Sequence, residues 1–207
     1  MSRHCHQCMD EEFTENPRLL LFAFAITALF AGIEFIGGRY TGSWALVSDS
    51  FHMGIDALAL FIAATASSLA HRFRTFSSKI KTRAAFLNAI LLMTLSVFVA
   101  FEAYERAWIS RDILSIPMLG IAVIGLLVNA FEEWLLRHQA FHDLNTRGAY
   151  LHIVGDYVSS VGVIAAALVI FLWDWKIADA LAAFLVALLM LISGFLLARA
   201  SLRELKN

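Results

Sequence analysis

Residues 43–70 read SWALVSDSFHMGIDALALFIAATASSLA. The run is apolar and longer than the roughly 20 residues that carry a helix across the hydrocarbon core of a bilayer. Even so, it holds Asp49, His52 and Asp56. The rest of the chain has the same texture. Five more apolar runs, at 19–38, 84–108, 113–136, 148–173 and 177–198, are marked off by charged flanks. Continuous runs of this length exclude barrel strands, which alternate polar and apolar over about ten residues. Composition agrees with this reading. Of the 207 residues, 60% are apolar and 16% charged, against about 45–50% and about 25% in soluble domains. The mean hydropathy is +0.72, so there is too little polar surface to coat a soluble core. A net charge of −1 also excludes a nucleic-acid binder, which needs a cationic face. The expectation is an all-α integral membrane protein with six transmembrane helices. Residues 18–199 form the helical domain, between a tail at 1–17 and a short tail at 200–207.

Orientation follows from the positive charges, which favour the cytoplasmic side. With both termini cytoplasmic, only Arg39, Arg106, Arg111 and Lys176 fall outside, and the other twelve of 16 Lys and Arg fall inside. The basic stretch with Arg72, Arg74, Lys79, Lys81 and Arg83, read as a loop, decides the matter. Trp44, Trp108, Trp173 and Trp175 fall at the opposite ends of the spans, where an interfacial aromatic belt is expected. The N-terminus has no apolar core, so it is not a cleavable signal. These features point to a multi-pass protein of the cell (inner) membrane.

A charge at mid-membrane costs at least about 2.5–3.5 kcal/mol on insertion scales, so each one needs a reason. The second span carries His52 and Asp56, and the fifth carries His152 and Asp156. Residues four apart lie one turn apart on one helix face. Each span therefore offers an imidazole beside a carboxylate. If the two faces meet, two nitrogens and two carboxylates make a ligand set suited to tetrahedral Zn²⁺. A single His/Asp pair is equally well explained as a packing hydrogen bond. Two pairs with the same spacing on two spans favour a shared metal or proton site. The same groups are bases for protons, which is a physical basis for metal–proton exchange.

These residues resemble a known family. GSWALVSDSFHMGID at 42–56 resembles the second-helix signature of the cation diffusion facilitators. LNTRGAYLHIVGD at 144–156, with SVGVI at 160–164, resembles their fifth-helix signature. Glu102, Ala103, Val128 and Asn129 also resemble family positions. The resemblance implies six helices and export of cytosolic Zn²⁺ in exchange for protons. It also implies that His52, Asp56, His152 and Asp156 are the transport ligands, with Cd²⁺ or Co²⁺ as alternative main substrates. Most members continue into a cytoplasmic ferredoxin-like domain. This sequence stops at Asn207, so the expectation is a short member in which any homodimer rests on the membrane region.

Other polar residues have a chemical and a plain reading. His4, Cys5, His6 and Cys8, followed by Asp10, Glu11 and Glu12, could capture metal before the pore, or be a tail without chemistry. Asp49 shares roughly the face of His52 and Asp56, and is a residue orienting a ligand histidine, part of the exit path, or a helix-start residue near the outer interface. Glu34 is expected to be buried and paired, and Asp179 to be a first-turn acid favoured by the helix dipole. Gly155, Ser159 and Gly162 in the fifth span, with Gly120 and Gly125 in the fourth, suit close helix approach. A membrane-embedded metalloenzyme and a metal sensor are the competing classes. Against the enzyme, no His-Glu-x-x-His occurs and no nucleophile sits beside a base.

Overall fold

The computed structural model describes residues 17–70, 77–108, 112–140 and 146–206, with the side chains of 17, 66–70, 77–81, 84, 137–140, 146–154 and 206 outside the description. There are six helices: α1 (Pro17–Thr41), α2 (Trp44–Ala70), α3 (Ser77–Ala107), α4 (Ser115–Ala140), α5 (Thr146–Trp173) and α6 (Ile177–Lys206). No strand occurs among the described residues. Each helix holds a stretch of 19 to 29 residues long and apolar enough to cross a membrane. In lipid the backbone must satisfy its own hydrogen bonds, and the helix does so within one segment.

The helix ends have local causes. Pro17 opens α1, where its missing N–H would have had no partner. Gly42, at φ 77°, follows α1 in the left-handed conformation. A Cβ there would lie 2.7 Å from the carbonyl oxygen of Asp112, so the position needs glycine on two counts. Asp174 ends α5 in the same conformation, at φ 52°, a position that Asp tolerates better than most side chains. Two helices outrun their apolar stretches. The apolar window of α3 begins at Ala85, yet the helix starts at Ser77 and takes in Lys79, Lys81 and Arg83. Likewise α6 continues to Lys206. Hydropathy marks the membrane, whereas backbone hydrogen bonding continues until a breaker stops it.

The most extensive pairings are α3 with α6 and α1 with α2. Helix α4 packs on α1 and α5, while α2 reaches α1, α3, α5 and α6. Helix α2 is therefore the centre of the bundle. Half of its apolar window is buried, against 17% for α4. The core around it is built of small residues such as Ala45, Ala166, Ala167 and Ala183, with Leu46, Met118 and Met190 as fillers. Lipid provides no hydrophobic drive between helices, so close contact and hydrogen bonds carry the association.

One polar cluster fixes the start of α2. The buried Asp179 carboxylate of α6 accepts from the Ser43 hydroxyl at 2.6 Å and from the backbone N–H groups of Trp44 at 2.8 Å and Ala45 at 3.2 Å. Asp179 is in the first turn of its own helix, as expected, but its side chain caps a different one. Arg106 lies over the Trp44 ring at 4.4 Å. Trp44 is consequently buried and takes no part in an interfacial belt, whereas Trp108, Trp173 and Trp175 are exposed as expected. At the same end, Lys176 donates to Asp112 at 2.8 Å and ties the α5–α6 turn to the residues before α4. That hydrogen bond holds the Asp112 carboxyl below its ordinary value and the Lys176 ammonium above its own. Asp112 would lose this tie only as pH falls into the acid range, and Lys176 only at alkaline pH. The pair therefore stays ionised between about pH 5 and 8, where histidine titrates. Replacing Asp179 with Ala should lower stability by about 1.5–3 kcal/mol, the range for hydrogen bonds to a charged group. Thermal unfolding in detergent, followed by tryptophan fluorescence, reads the change.

Candidate metal centre

The centre is assembled where α2 meets α5. His52 is on α2, four residues before Asp56, and both project from the same face. Asp156 comes from α5. The His52 Nε2 lies 3.8 Å from an Asp56 carboxylate oxygen, and its Nδ1 lies 3.7 Å from one of Asp156. One donor atom from each of the three falls within 4.8 Å of the others. Zn²⁺ binds nitrogen and oxygen at about 2.0–2.2 Å, so tetrahedral donors stand about 3.4 Å apart. A small closing movement would bring the three onto one ion. His52 is 3% exposed, while the Asp56 and Asp156 side chains are 20% and 23% exposed. The imidazole is the sealed wall of the site and the carboxylates are its open side.

His152 is on α5, one turn before Asp156; its side chain lies outside the described residues. His4, Cys5, His6 and Cys8 also lie outside them. Asp49 is 3% exposed on α2 and is not one of the three clustered donors. It interacts electrostatically with His52, Asp156 and Asp56, and the Ser159 hydroxyl is within hydrogen-bonding reach of it. Glu34 departs from expectation. It is fully buried, but neither carboxylate oxygen has a hydrogen-bond partner among the described residues.

Hydrogen bonds between helices frame the centre. Asn129 of α4 donates to Ser160 of α5 at 3.0 Å. Glu133 accepts from the Tyr157 hydroxyl at 2.6 Å, and its neighbour Glu132 accepts from Thr27 of α1 at 2.6 Å. Adjacent positions on a helix point about 100° apart, so one acidic pair on α4 holds both α5 and α1. The apolar run 113–136 puts Glu132 and Glu133 near the end of a span and says nothing of their partners. No spacing signal reveals partners 105 and 24 residues away.

A model of the cation efflux transmembrane domain matches residues 20–206. The chain belongs to the cation efflux family. Among its relatives is the zinc transporter ZitB of Pectobacterium atrosepticum, 41% identical over 196 residues, which cover 92% of this chain and 61% of the relative. The zinc transporter ZitB of Escherichia coli K12 is 39% identical over 208 residues, 98% of this chain and 66% of that protein. A cadmium, cobalt and zinc/H(+)-K(+) antiporter of Bacillus subtilis is 38% identical over 187 residues, 87% of this chain and 60% of that one. The chain thus spans less than two thirds of the length of these relatives. Family membership accounts for the six spans and the paired motifs of α2 and α5 together.

The small residues of this cation efflux bundle divide into two sets. A Cβ on Gly125 would come 2.5 Å from Glu34 Oε1 and 3.1 Å from the Phe30 ring, and one on Gly162 would meet Leu185 at 2.9 Å. Gly120 and Gly155 have open space beside them. Gly125 therefore sets how closely α1 and α4 approach beside the centre. Gly125→Ala should overpack that contact and lower stability by about 1–3 kcal/mol, whereas Gly120→Ala should be neutral or stabilising. Thermal unfolding of the two variants side by side makes the comparison.

Proposed function

We propose that the chain exports Zn²⁺ from the cytosol by alternating access, in exchange for protons. The ligands are His52, Asp56, His152 and Asp156, and both chain termini face the cytosol. The observation that carries this reading is the clustering of His52, Asp56 and Asp156 from two membrane-spanning helices. Two carboxylates at that depth need about two positive charges, and a divalent ion provides them in one step. Zinc transporters among the relatives support the choice of ion. The Bacillus relative, named for cadmium, cobalt and zinc, supports Cd²⁺ and Co²⁺ as further substrates. The same name includes H(+), in keeping with proton exchange.

The geometry supports the proposed coupling. Each ring nitrogen of His52 faces a different carboxylate. A protonated imidazole can donate from both nitrogens, so it is a cation matched to two flanking anions. A metal ion instead needs a bare nitrogen and two ionised carboxylates. Protons and metal therefore occupy the centre by turns. Whichever side the bundle opens to decides which arrives. An inward opening admits Zn²⁺, and an outward opening at lower pH displaces it. The relatives are named as transporters, which favours this reading over a metalloenzyme.

Flux of Zn²⁺ into or out of proteoliposomes, read with an indicator dye, tests the proposal. Asp56→Ala and Asp156→Ala should each lower flux by more than about 100-fold, the upper scale reached when only an outer partner of a metal ligand is lost. Wild-type flux should rise as the receiving side is made more acidic. Undiminished zinc flux in either variant would overturn the ligand assignment.

A further inference from the structure

Glu34 is the buried charge that the mechanism above leaves unused. It is on α1, 0% exposed. Both of its oxygens are sealed from solvent without a hydrogen-bond donor among the described residues. Its space is made by a glycine, since a Cβ on Gly125 of α4 would lie 2.5 Å from Oε1. The acidic group that acts on it electrostatically is Asp49 of α2. Asp49 in turn interacts with His52, Asp156 and Asp56. Electrostatic interaction therefore links Glu34, against α4, to Asp49, and Asp49 to the metal centre on α2 and α5. Helix α1 packs on α2 and α4, and the charged and titratable groups of both bear on the question. On α2 they are Asp49, His52 and Asp56. Helix α4 carries Glu132, Glu133, Arg137 and His138; the side chains of the last two lie outside the described residues, and Glu132 and Glu133, two turns along from Gly125, are both engaged, by Thr27 and Tyr157. None of the described side chains among these supplies a cation to Glu34.

An ionised carboxylate buried without a donor or a counter-charge is far costlier than a neutral carboxylic acid. A second carboxylate across the interface adds repulsion. The arrangement suits a group that is neutral while the centre is empty. When a divalent ion fills the centre, its field stabilises anions nearby, first at Asp49 and then at Glu34. We propose that Glu34 is a proton-carrying residue of the transport cycle, protonated when the metal centre is empty and ionised when it is filled. The inference rests on the metal-transport reading above and adds to it a proton that no metal ligand holds. In the step, the Glu34 O–H bond breaks, the electron pair stays on the carboxylate, and the proton leaves by way of Asp49 and the centre to water on the open side. The reverse step reloads it once the metal has gone. Asp49 passes the proton on, and the Gly125 surface keeps solvent from reaching Glu34 by another route.

Proton release on Zn²⁺ binding tests this. The full chain in lipid nanodiscs is titrated with Zn²⁺ by calorimetry in two buffers of different ionisation enthalpy, which counts protons released per ion bound. Glu34→Gln should still bind Zn²⁺ and release about one proton fewer than wild type, and Glu34→Asp should restore the count. In proteoliposomes, Glu34→Gln should also flatten the dependence of flux on external pH. An unchanged proton count in Glu34→Gln, with wild type binding Zn²⁺ normally, would overturn the role of Glu34 and leave the transport reading standing. Absence of Zn²⁺ binding by wild type would overturn both. Glutamine copies the shape of the neutral acid, so a Glu34→Gln chain that fails to fold where Glu34→Asp succeeds would show that the anion is required and would also overturn the proposal.

Discussion

The structure is organised around the difficulty of holding carboxylates inside a bilayer. Asp56 and Asp156 come from helices long and apolar enough to cross a membrane, where a charge is costly, and His52 lies between them with one ring nitrogen toward each. Every neighbouring feature serves that placement. Helix α2 is the most buried of the six because it must bring His52 and Asp56 to the middle of the bundle. Small core residues let the helices close around it. The acids of α4 hold α5 and α1 in register beside it.

Two kinds of buried acid can be told apart by their partners. Asp179 accepts three hydrogen bonds, from Ser43, Trp44 and Ala45. Its charge is spread over the N-terminus of α2, where a helix dipole favours an anion. Such a group has no reason to exchange its charge during a cycle. Glu34 lacks hydrogen-bond donors among the described residues, and at the centre His52 faces two carboxylates. A buried acid without a donor is a cost to stability, and its charge is correspondingly easier to change. The bundle thus anchors itself by a fully satisfied acid at one end of α2, while Glu34 is left without a donor among the described residues.

Much of the fold was legible because a bilayer imposes a strict rule on sequence. Six long apolar runs can only be helices, and the observed helices cover each run to within two residues at its ends. Boundaries were less legible. The basic residues Lys79, Lys81 and Arg83, read as loop, belong to α3, because charge marks the edge of the membrane and does not end a helix. Trp44 looked like an interfacial residue from its position at a span end, but Arg106 covers it. Of the centre, the i,i+4 pairs on α2 and α5 were readable from spacing. That Glu34 has no hydrogen-bonding partner, and that Asp179 serves α2, were not readable, because both depend on which helices touch.

By itself, the sequence determined the membrane class and the number of spans, and it singled out candidate metal ligands. Each of these follows from local properties: hydropathy along a run, and the turn of a helix that brings His52 above Asp56. The tertiary structure alone decided which helix faces meet. It brought Asp156 to the far side of the His52 ring, set Glu34 against Gly125 opposite Asp49, and laid Asp179 across the start of another helix. Contacts between segments distant in the chain come from packing complementarity and the satisfaction of buried polar groups over the whole bundle. No periodicity within one segment encodes them.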